Sequence, residues 1–349
     1  PVKCPASMCE NSKIRRTCDP RCEVFLVRAF IRATWLLDTW HLLPKEMDVR
    51  MEFADFPFLS GKGLADRMRG EEVLITNEDR VDDEAMEGNP NLRLVGTPSA
   101  GLDHIDVAAA TKRRIVVVYS PGGNADSVAE YTFGMILAAS RRILMADAKL
   151  RKGMTHSVES YRPLIGAQLK GKTIGIVGAG HIGSRVAMIA RGFGMNVVLY
   201  DPGLLPTRLE QFGRALEFDE LLRISDYVTV HVPLTGKTLG MFTAEQFGIM
   251  KTNAFFVNTS RGKVVNEPDL INALKNRTIA GAALDVQASE PLRADSPLLE
   301  LDNVIVSPHI ASLSKEAQAY CDRIVQEDVI RFARGEPLRF VANPEVYTK

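Results

Sequence analysis

From Glu23 onward, short apolar runs alternate with amphipathic stretches. Val24–Val27 reads as a short buried strand, and Ala29–Trp40, with apolar residues at helical spacing, reads as a helix. Asp48–Phe53 alternates polar and apolar positions as a strand does. Val73–Ile75, Leu94–Gly96 and Ile115–Val118 are further strand candidates with short helices between them. This rhythm predicts a parallel sheet covered by helices. A turn-rich break, Ser120-Pro121-Gly122-Gly123, closes the block. Ala125–Lys152 contains no proline and is rich in Ala, Leu, Ile and Met, which predicts one long helix. Six more strands follow: Thr173–Val177, Asn196–Tyr200, Tyr227–Val230, Ala254–Val257, Ile279–Leu284 and Val304–Val306. Helical stretches separate them, and Lys315–Arg334 predicts a final helix. The expected fold class is α/β, with doubly wound parallel sheets.

Composition narrows the partners. The 349 residues leave room for two domains. Lys+Arg and Asp+Glu both count 43, so the formal net charge is zero, which argues against nucleic acid or an anionic membrane as partner. No apolar run reaches the roughly 18 residues that span a bilayer. Val24–Val27 is followed by Arg28 and Arg32, too soon for a secretory signal core. Cys4, Cys9, Cys18 and Cys22 crowd the start of the chain, and only Cys321 follows. Their spacing matches no common zinc set and no histidine lies near them, so no metal is expected. Residues 1–22 read as a disordered, Cys-containing extension. A body poor in cysteine points to the reducing cytoplasm.

The chemistry begins at Gly178, Gly180 and Gly183, a G-x-G-x-x-G turn between an apolar strand and the helical run Ile182–Arg191. The first glycine permits the tight turn, the second lets a pyrophosphate approach the backbone, and the third lets the helix pack close to the sheet. His181 and Ile182 lie inside this turn and are counted with the cofactor site. Asp201 closes the next strand, where a carboxylate can accept from both ribose hydroxyls and repel a 2′-phosphate. No arginine follows it until Arg208. NAD (NADH) is therefore expected over NADP.

Three later segments, Asn258-Thr-Ser-Arg-Gly262, Ala283-Leu-Asp-Val-Gln-Ala-Ser-Glu-Pro291 and Ser307-Pro-His-Ile-Ala-Ser312, each follow a predicted strand, where open α/β sheets bind ligands. They offer Arg261, Glu290 and His309, with Thr259 and Ser260 counted with the cofactor site. Arg261 can grip a carboxylate and polarise a ketone. His309 can give a proton to a developing alkoxide and reclaim it in reverse. Glu290 can orient the imidazole and favour its charged form. The remaining histidines, His41, His104, His156 and His231, read as structural.

These segments resemble the D-2-hydroxyacid dehydrogenase family, whose pattern runs N-T-[SA]-R-G, G-x-x-L-D-V-x-x-x-E-P and then a P-H pair. Upstream, Val95–Asp106 looks like that family's substrate loop, Asn124–Glu130 like the opening of its interdomain helix, and Val232-Pro233 like its adenine-side loop. The resemblance implies that Ser99, Ala100 and Gly101 present backbone amides to the substrate carboxylate. It implies that Asp285 holds the nicotinamide carboxamide, and that Ser127 and Val128 touch the cofactor. It also implies a flavodoxin-like substrate domain, residues 23–120 and 312–349, into which an NAD-binding Rossmann domain, 121–311, is inserted. Members are usually homodimers. Phosphoglycerate dehydrogenases in this family place arginines where this chain has Thr76 and Thr97, and Glu78 and Asp79 would repel a phosphate. The expected substrate is a small glyoxylate- or hydroxypyruvate-like 2-oxo acid. D-3-phosphoglycerate dehydrogenase is one alternative and an NAD(H)-sensing, corepressor-like binding protein another.

Overall fold

The computed structural model describes residues 27–33, 43, 47–54 and 57–348. The chain divides into two compact units, Pro1–Asn124 with Lys315–Lys349, and Ala125–Ser314. The first is therefore discontinuous in sequence, and the second lies between its two pieces.

The first unit holds five parallel strands, β1 (Arg28–Ala33), β2 (Asp48–Phe53), β3 (Val73–Thr76), β4 (Leu94–Thr97) and β5 (Val116–Tyr119), in the order β2-β1-β3-β4-β5. This is the flavodoxin-like order. β3 and β4 are buried at every position, because helices cover both faces of a parallel sheet and leave no solvent side to alternate with. On one face Phe30, Leu74, Val95 and Val117 pack with Leu64, Met86 and Ala110. On the other, Ile31, Ile75 and Val118 meet Val325 and Val329 of the helix Lys315–Arg334. The chain end covers the β5 edge: Asn343 accepts from Val117 N at 2.8 Å and donates to Ile115 O at 2.9 Å. An edge strand covered in this way offers no open ladder to another chain.

The second unit holds β6 (Thr173–Val177), β7 (Asn196–Tyr200), β8 (Arg214–Ala215), β9 (Tyr227–Val230), β10 (Phe255–Asn258), β11 (Gly281–Leu284) and β12 (Val304–Val306). All neighbours pair in parallel, in the order β12-β11-β10-β9-β6-β7-β8. One face carries Phe242, Phe247, Phe256 and Leu274, the other Phe133, Ile136, Val186 and Val257.

Three expectations need correction. The first strand is Arg28–Ala33, so Ala29–Ala33 is extended where a helix was expected; residues 24–26 and 34–40 lie outside the described residues. Ala29, Phe30 and Ile31 are consecutive and all fully buried, which a two-sided strand achieves and an amphipathic helix does not. Arg28 and Arg32 imitate a helical polar stripe by their spacing, yet Arg32 is buried. The long helix is two, Ala125–Ser140 and Ile143–Arg151, broken where Arg142 adopts a left-handed φ of 55°. The chain returns against this break: Ala167 N donates to Ser140 O at 2.8 Å, and a Cβ at Gly166 would lie 2.2 Å from that oxygen. The second sheet has a seventh strand, β8, whose two residues are too short to leave a periodic trace. The cysteines Cys4, Cys9, Cys18 and Cys22 fall outside the described residues.

Candidate active site

Gly178 continues the line of β6 and turns with φ 92°, a conformation open to glycine. Its N–H donates to Tyr200 O at 2.8 Å, and a Cβ there would meet His231 O at 2.6 Å and Val232 Cγ1 at 2.9 Å. Val232 thus packs against the turn, while Pro233 beside it is exposed. Gly183 lies under the same turn, where a Cβ would stand 1.9 Å from Gly178 O. Gly180 differs: a Cβ there would meet nothing within 4 Å. It precedes the helix His181–Gly192 and supplies no side-chain cap, so no side chain of the N-cap residue occupies the helix's first N–H groups. His181 is exposed and Ile182 half-buried. Asp201, after β7, accepts from Ala179 N and from Gly203 N, each at 2.9 Å, so its carboxylate braces the turn.

A second cluster forms at the carboxyl ends of β10, β11 and β12. Asn258 ends β10 and folds the next residues around itself. Its Oδ1 accepts from Ser260 N at 3.0 Å and Ser260 Oγ at 2.8 Å, and its Nδ2 donates to Arg261 O at 3.0 Å. Arg261 Nη1 donates to Ser260 O at 2.7 Å. Thr259 is buried and hydrogen-bonds Thr132 of the helix Ala125–Ser140 at 2.9 Å, hydroxyl to hydroxyl.

His309 Nδ1 lies 2.8 Å from Glu290 Oε2. The Glu290 hydrogen bond raises the imidazole above its ordinary 6.5, against burial and the Arg261 charge, with Asp285 adding to the rise. Burial pushes the Glu290 carboxyl up, but His309, the Gln287 N–H and the Arg261 charge together hold it below its ordinary 4.5. The structure thus brings Arg261, Glu290 and His309 within electrostatic reach of one another. His309 sits at φ 55°, which costs a non-glycine residue roughly 1–2 kcal/mol. The surrounding loop is held accordingly. His309 N donates to Asp285 O at 2.7 Å, and the fully buried Asp285 carboxylate accepts from Ser307 Oγ (2.6 Å), Ile310 N (3.0 Å) and Ala311 N (2.8 Å). Ser127 Oγ donates to Ala311 O of the same loop at 3.1 Å, with Val128 buried beside it.

Ser99, Ala100 and Gly101 belong to the other unit, at the carboxyl end of β4. There Ser99 O accepts from Ser120 N at 2.9 Å and Ser99 Oγ from Gly101 N at 3.2 Å. Thr76 and Thr97 are both fully buried. Asp79 departs from the sequence reading. It is fully buried, and both its oxygens accept from Arg32 Nη1 at 2.8 Å. One of them also accepts from Leu59 N at 2.8 Å. Its charge is answered from inside the fold, so it repels nothing outside; Glu78 remains half-buried and Arg80 exposed.

Sequence reasoning missed the supports: Asn258, Ser307, Gln287, and Glu267, whose Oε2 accepts from Ala288 N at 2.9 Å. Only Asn258 left a local trace, an Asn followed two residues later by a serine that it can fold back on. Among the described residues no cluster of three or more His, Cys, Asp or Glu could hold a metal, and no helix is long and apolar enough to cross a membrane.

Comparison with known proteins agrees with this geometry. Residues 133–311 match the family described as D-isomer specific 2-hydroxyacid dehydrogenase, NAD binding domain. The chain is 41% identical over 274 residues to D-3-phosphoglycerate dehydrogenase of Archaeoglobus fulgidus, covering 78% of this chain but 51% of that protein. It thus spans about half the length of that relative. It is also 41% identical over 293 residues to glyoxylate reductase of Korarchaeum cryptofilum, covering 82% of this chain and 87% of that one. D-lactate dehydrogenase from Aquifex aeolicus, solved with NAD and lactic acid, superposes with a TM-score of 0.77 at 29% identity, over 88% of this chain and 96% of that one. With its parallel sheets, glycine turn and strand-end cluster, the chain belongs to the D-isomer specific 2-hydroxyacid dehydrogenase family.

Proposed function

We propose that the chain is an NAD-dependent dehydrogenase that interconverts a small D-2-hydroxy acid and its 2-oxo acid. The observation that carries the reading is the 2.8 Å His309–Glu290 pair beside Arg261, on strand-end loops of the unit that also bears the glycine turn. In this reading Ala125–Ser314 is the cofactor-binding domain and the other unit the substrate domain. The residues present fit the dinucleotide: nothing fills the space above Gly180, and the uncapped helix start attracts phosphates. The bound nicotinamide supplies or accepts the hydride.

The protein's own residues do the rest. Arg261 pairs with the substrate carboxylate and draws electron density from the carbonyl. His309, with Nδ1 engaged by Glu290, delivers the proton from Nε2 to the developing alkoxide. In the oxidative direction it takes that proton back. Glu290 holds the imidazole in this orientation and stabilises its charged form. Backbone amides of Ser99, Ala100 and Gly101 receive the carboxylate. Val232, Pro233, Thr259, Ser260 and Ser127 line the cofactor. Asp285 both meets the carboxamide and holds the His309 loop.

Asp201 favours NAD, because its carboxylate meets ribose hydroxyls and repels a 2′-phosphate. Replacing it by alanine should raise the NADPH/NADH preference ratio by about tenfold or more, read from KM for each cofactor. An unchanged ratio removes Asp201 from the ribose site. The substrate is an unphosphorylated, glyoxylate- or hydroxypyruvate-like acid, supported by the fully buried Thr76 and Thr97 where a phosphate-binding cation would be needed. A phosphorylated substrate is the second reading: Asp79 no longer opposes it and Arg80 is exposed. The chain acts as a homodimer in the cytoplasm. Ile143, Leu144, Leu150, Val158 and Ile165 are exposed apolar residues that a partner copy would cover.

The deciding experiment follows NADH absorbance with glyoxylate, hydroxypyruvate, pyruvate, longer 2-oxo acids and phosphohydroxypyruvate. Turnover of one of the unphosphorylated acids in preference to the others supports the reading. Preference for phosphohydroxypyruvate selects the second. No turnover of any, with NADH bound, overturns the dehydrogenase assignment.

A further inference from the structure

We propose that Gln287 is the positioning residue that sets the geometry of the Glu290–His309 pair, an inference that deepens the proposed function and rests on it. Gln287 leaves β11 two residues after Asp285 and is 5% exposed. Its carboxamide Nε2 donates to Leu284 O at 3.3 Å and to Ser307 O at 3.2 Å. Ser307 stands two residues before His309, so this bond ties the root of the His309 loop to the β11 strand end. Its backbone N–H donates to Glu290 Oε1 at 3.1 Å, the carboxylate oxygen that His309 does not use. One residue therefore holds both partners, the carboxylate through its amide and the imidazole's loop through its side chain.

The third side of the arrangement is steric. A Cβ at Gly262 would stand 1.9 Å from Gln287 O, so the peptide after Arg261 lies flat against Gln287-Ala288. The loops that carry Arg261, Glu290 and His309 thus converge on a single buried glutamine. The side chain closes the seam between β11 and β12 through its two carbonyl contacts and so fixes where the Gln287 main chain lies. That main chain makes the bond to Glu290 and the contact with Gly262, so the position set by the side chain is part of the acid–base geometry. Hydrogen-bond strength falls steeply with misalignment, so a small shift of Ser307 changes how well Nδ1 meets Oε2. The charged groups that face His309 are Glu290, Arg261 and Asp285, and each sits on a loop that Gln287 touches or leaves.

The test replaces the carboxamide with an apolar chain of equal length, Gln287→Met. Gln287→Asn serves as second variant, withdrawing the amide by one carbon–carbon bond if the first fails to fold. The imidazole of His309 is titrated by NMR in each protein, with its resonance assigned by its absence from His309→Asn. The midpoint is expected to fall from its raised value toward 6.5, with kcat lowered about tenfold and KM for NADH unchanged. A folded variant whose His309 midpoint matches the wild type overturns the proposal. So does one in which only thermal stability falls, because that is what a seam-filler would give. The titration does not depend on turnover. A wild type that reduces no 2-oxo acid while the variant midpoint still falls refutes the dehydrogenase reading and leaves Gln287 as the residue that positions the pair.

Discussion

The carboxyl edge of the seven-stranded sheet carries two loop systems built in opposite ways. The turn after β6 keeps side chains out: Gly178 and Gly183 bring backbone against backbone, Gly180 leaves the space beside it open, and Asp201 reaches over from β7 to brace the turn. The loops after β10, β11 and β12 do the reverse. Asn258, Asp285, Gln287 and Glu290 aim their side chains back at main-chain groups and fix the peptides that carry Arg261 and His309. A surface that must let a large anionic group come close gains from bare backbone. One that must aim a proton donor at a single oxygen gains from over-determined loops. The two systems should therefore fail differently when altered.

The sharpest contrast is chemical. In the proposed mechanism His309→Ala removes the proton donor and leaves the glycine turn untouched. Its kcat for reduction of a 2-oxo acid should fall by about 10²–10⁴, while the NADH dissociation constant, measured by fluorescence titration, stays within about twofold of wild type. Equal losses in both would mean that the two systems are not separable and that His309 belongs to cofactor binding.

The pair itself makes a pH prediction with a definite sign. Glu290 raises the His309 imidazole above 6.5, and in the proposed mechanism reduction needs the protonated ring. Reduction should therefore hold at low pH and be lost as pH rises through the raised value; oxidation, which needs the neutral ring, should appear over the same range. Glu290→Gln keeps an acceptor for Nδ1 but removes the charge. Both limbs should move to lower pH, by about one unit, with kcat at neutral pH reduced about tenfold. Limbs that stay in place would show that another group sets the titration.

How much of this was legible depends on the range over which each residue's partner lies. The glycine turn and the segments bearing Arg261, Glu290 and His309 are local motifs at strand ends, so a linear reading finds them. The strand from Arg28 to Ala33 was hidden, because its evidence is the burial of Arg32 against Asp79, a partner 47 residues further along the chain. The same pairing hid the inward orientation of Asp79. The break at Arg142 lies in a sequence of good helix formers and shows only once Gly166 returns against Ser140. Gln287 and Ser307 escaped for the same reason: what they do is decided by neighbours on a different strand.

The glycine turn offers the finest division within one motif. At Gly183 an added methyl would lie 1.9 Å from Gly178 O, and neither atom belongs to a flexible side chain. Gly183→Ala must push the helix off the sheet and should lower unfolding stability by about 1–3 kcal/mol, visible as a shift in urea midpoint. At Gly180 the same methyl meets no protein atom within 4 Å. Gly180→Ala should unfold at the wild-type midpoint. Its methyl instead occupies the space that the pyrophosphate would use, so NADH affinity should drop several-fold to about tenfold. If Gly180→Ala bound NADH normally, the open backbone there would have no phosphate to admit, and the contrast between bare and braced loops would lose its functional meaning. If Gly183→Ala kept its stability, the close approach of helix and strand would be softer than the 1.9 Å contact implies.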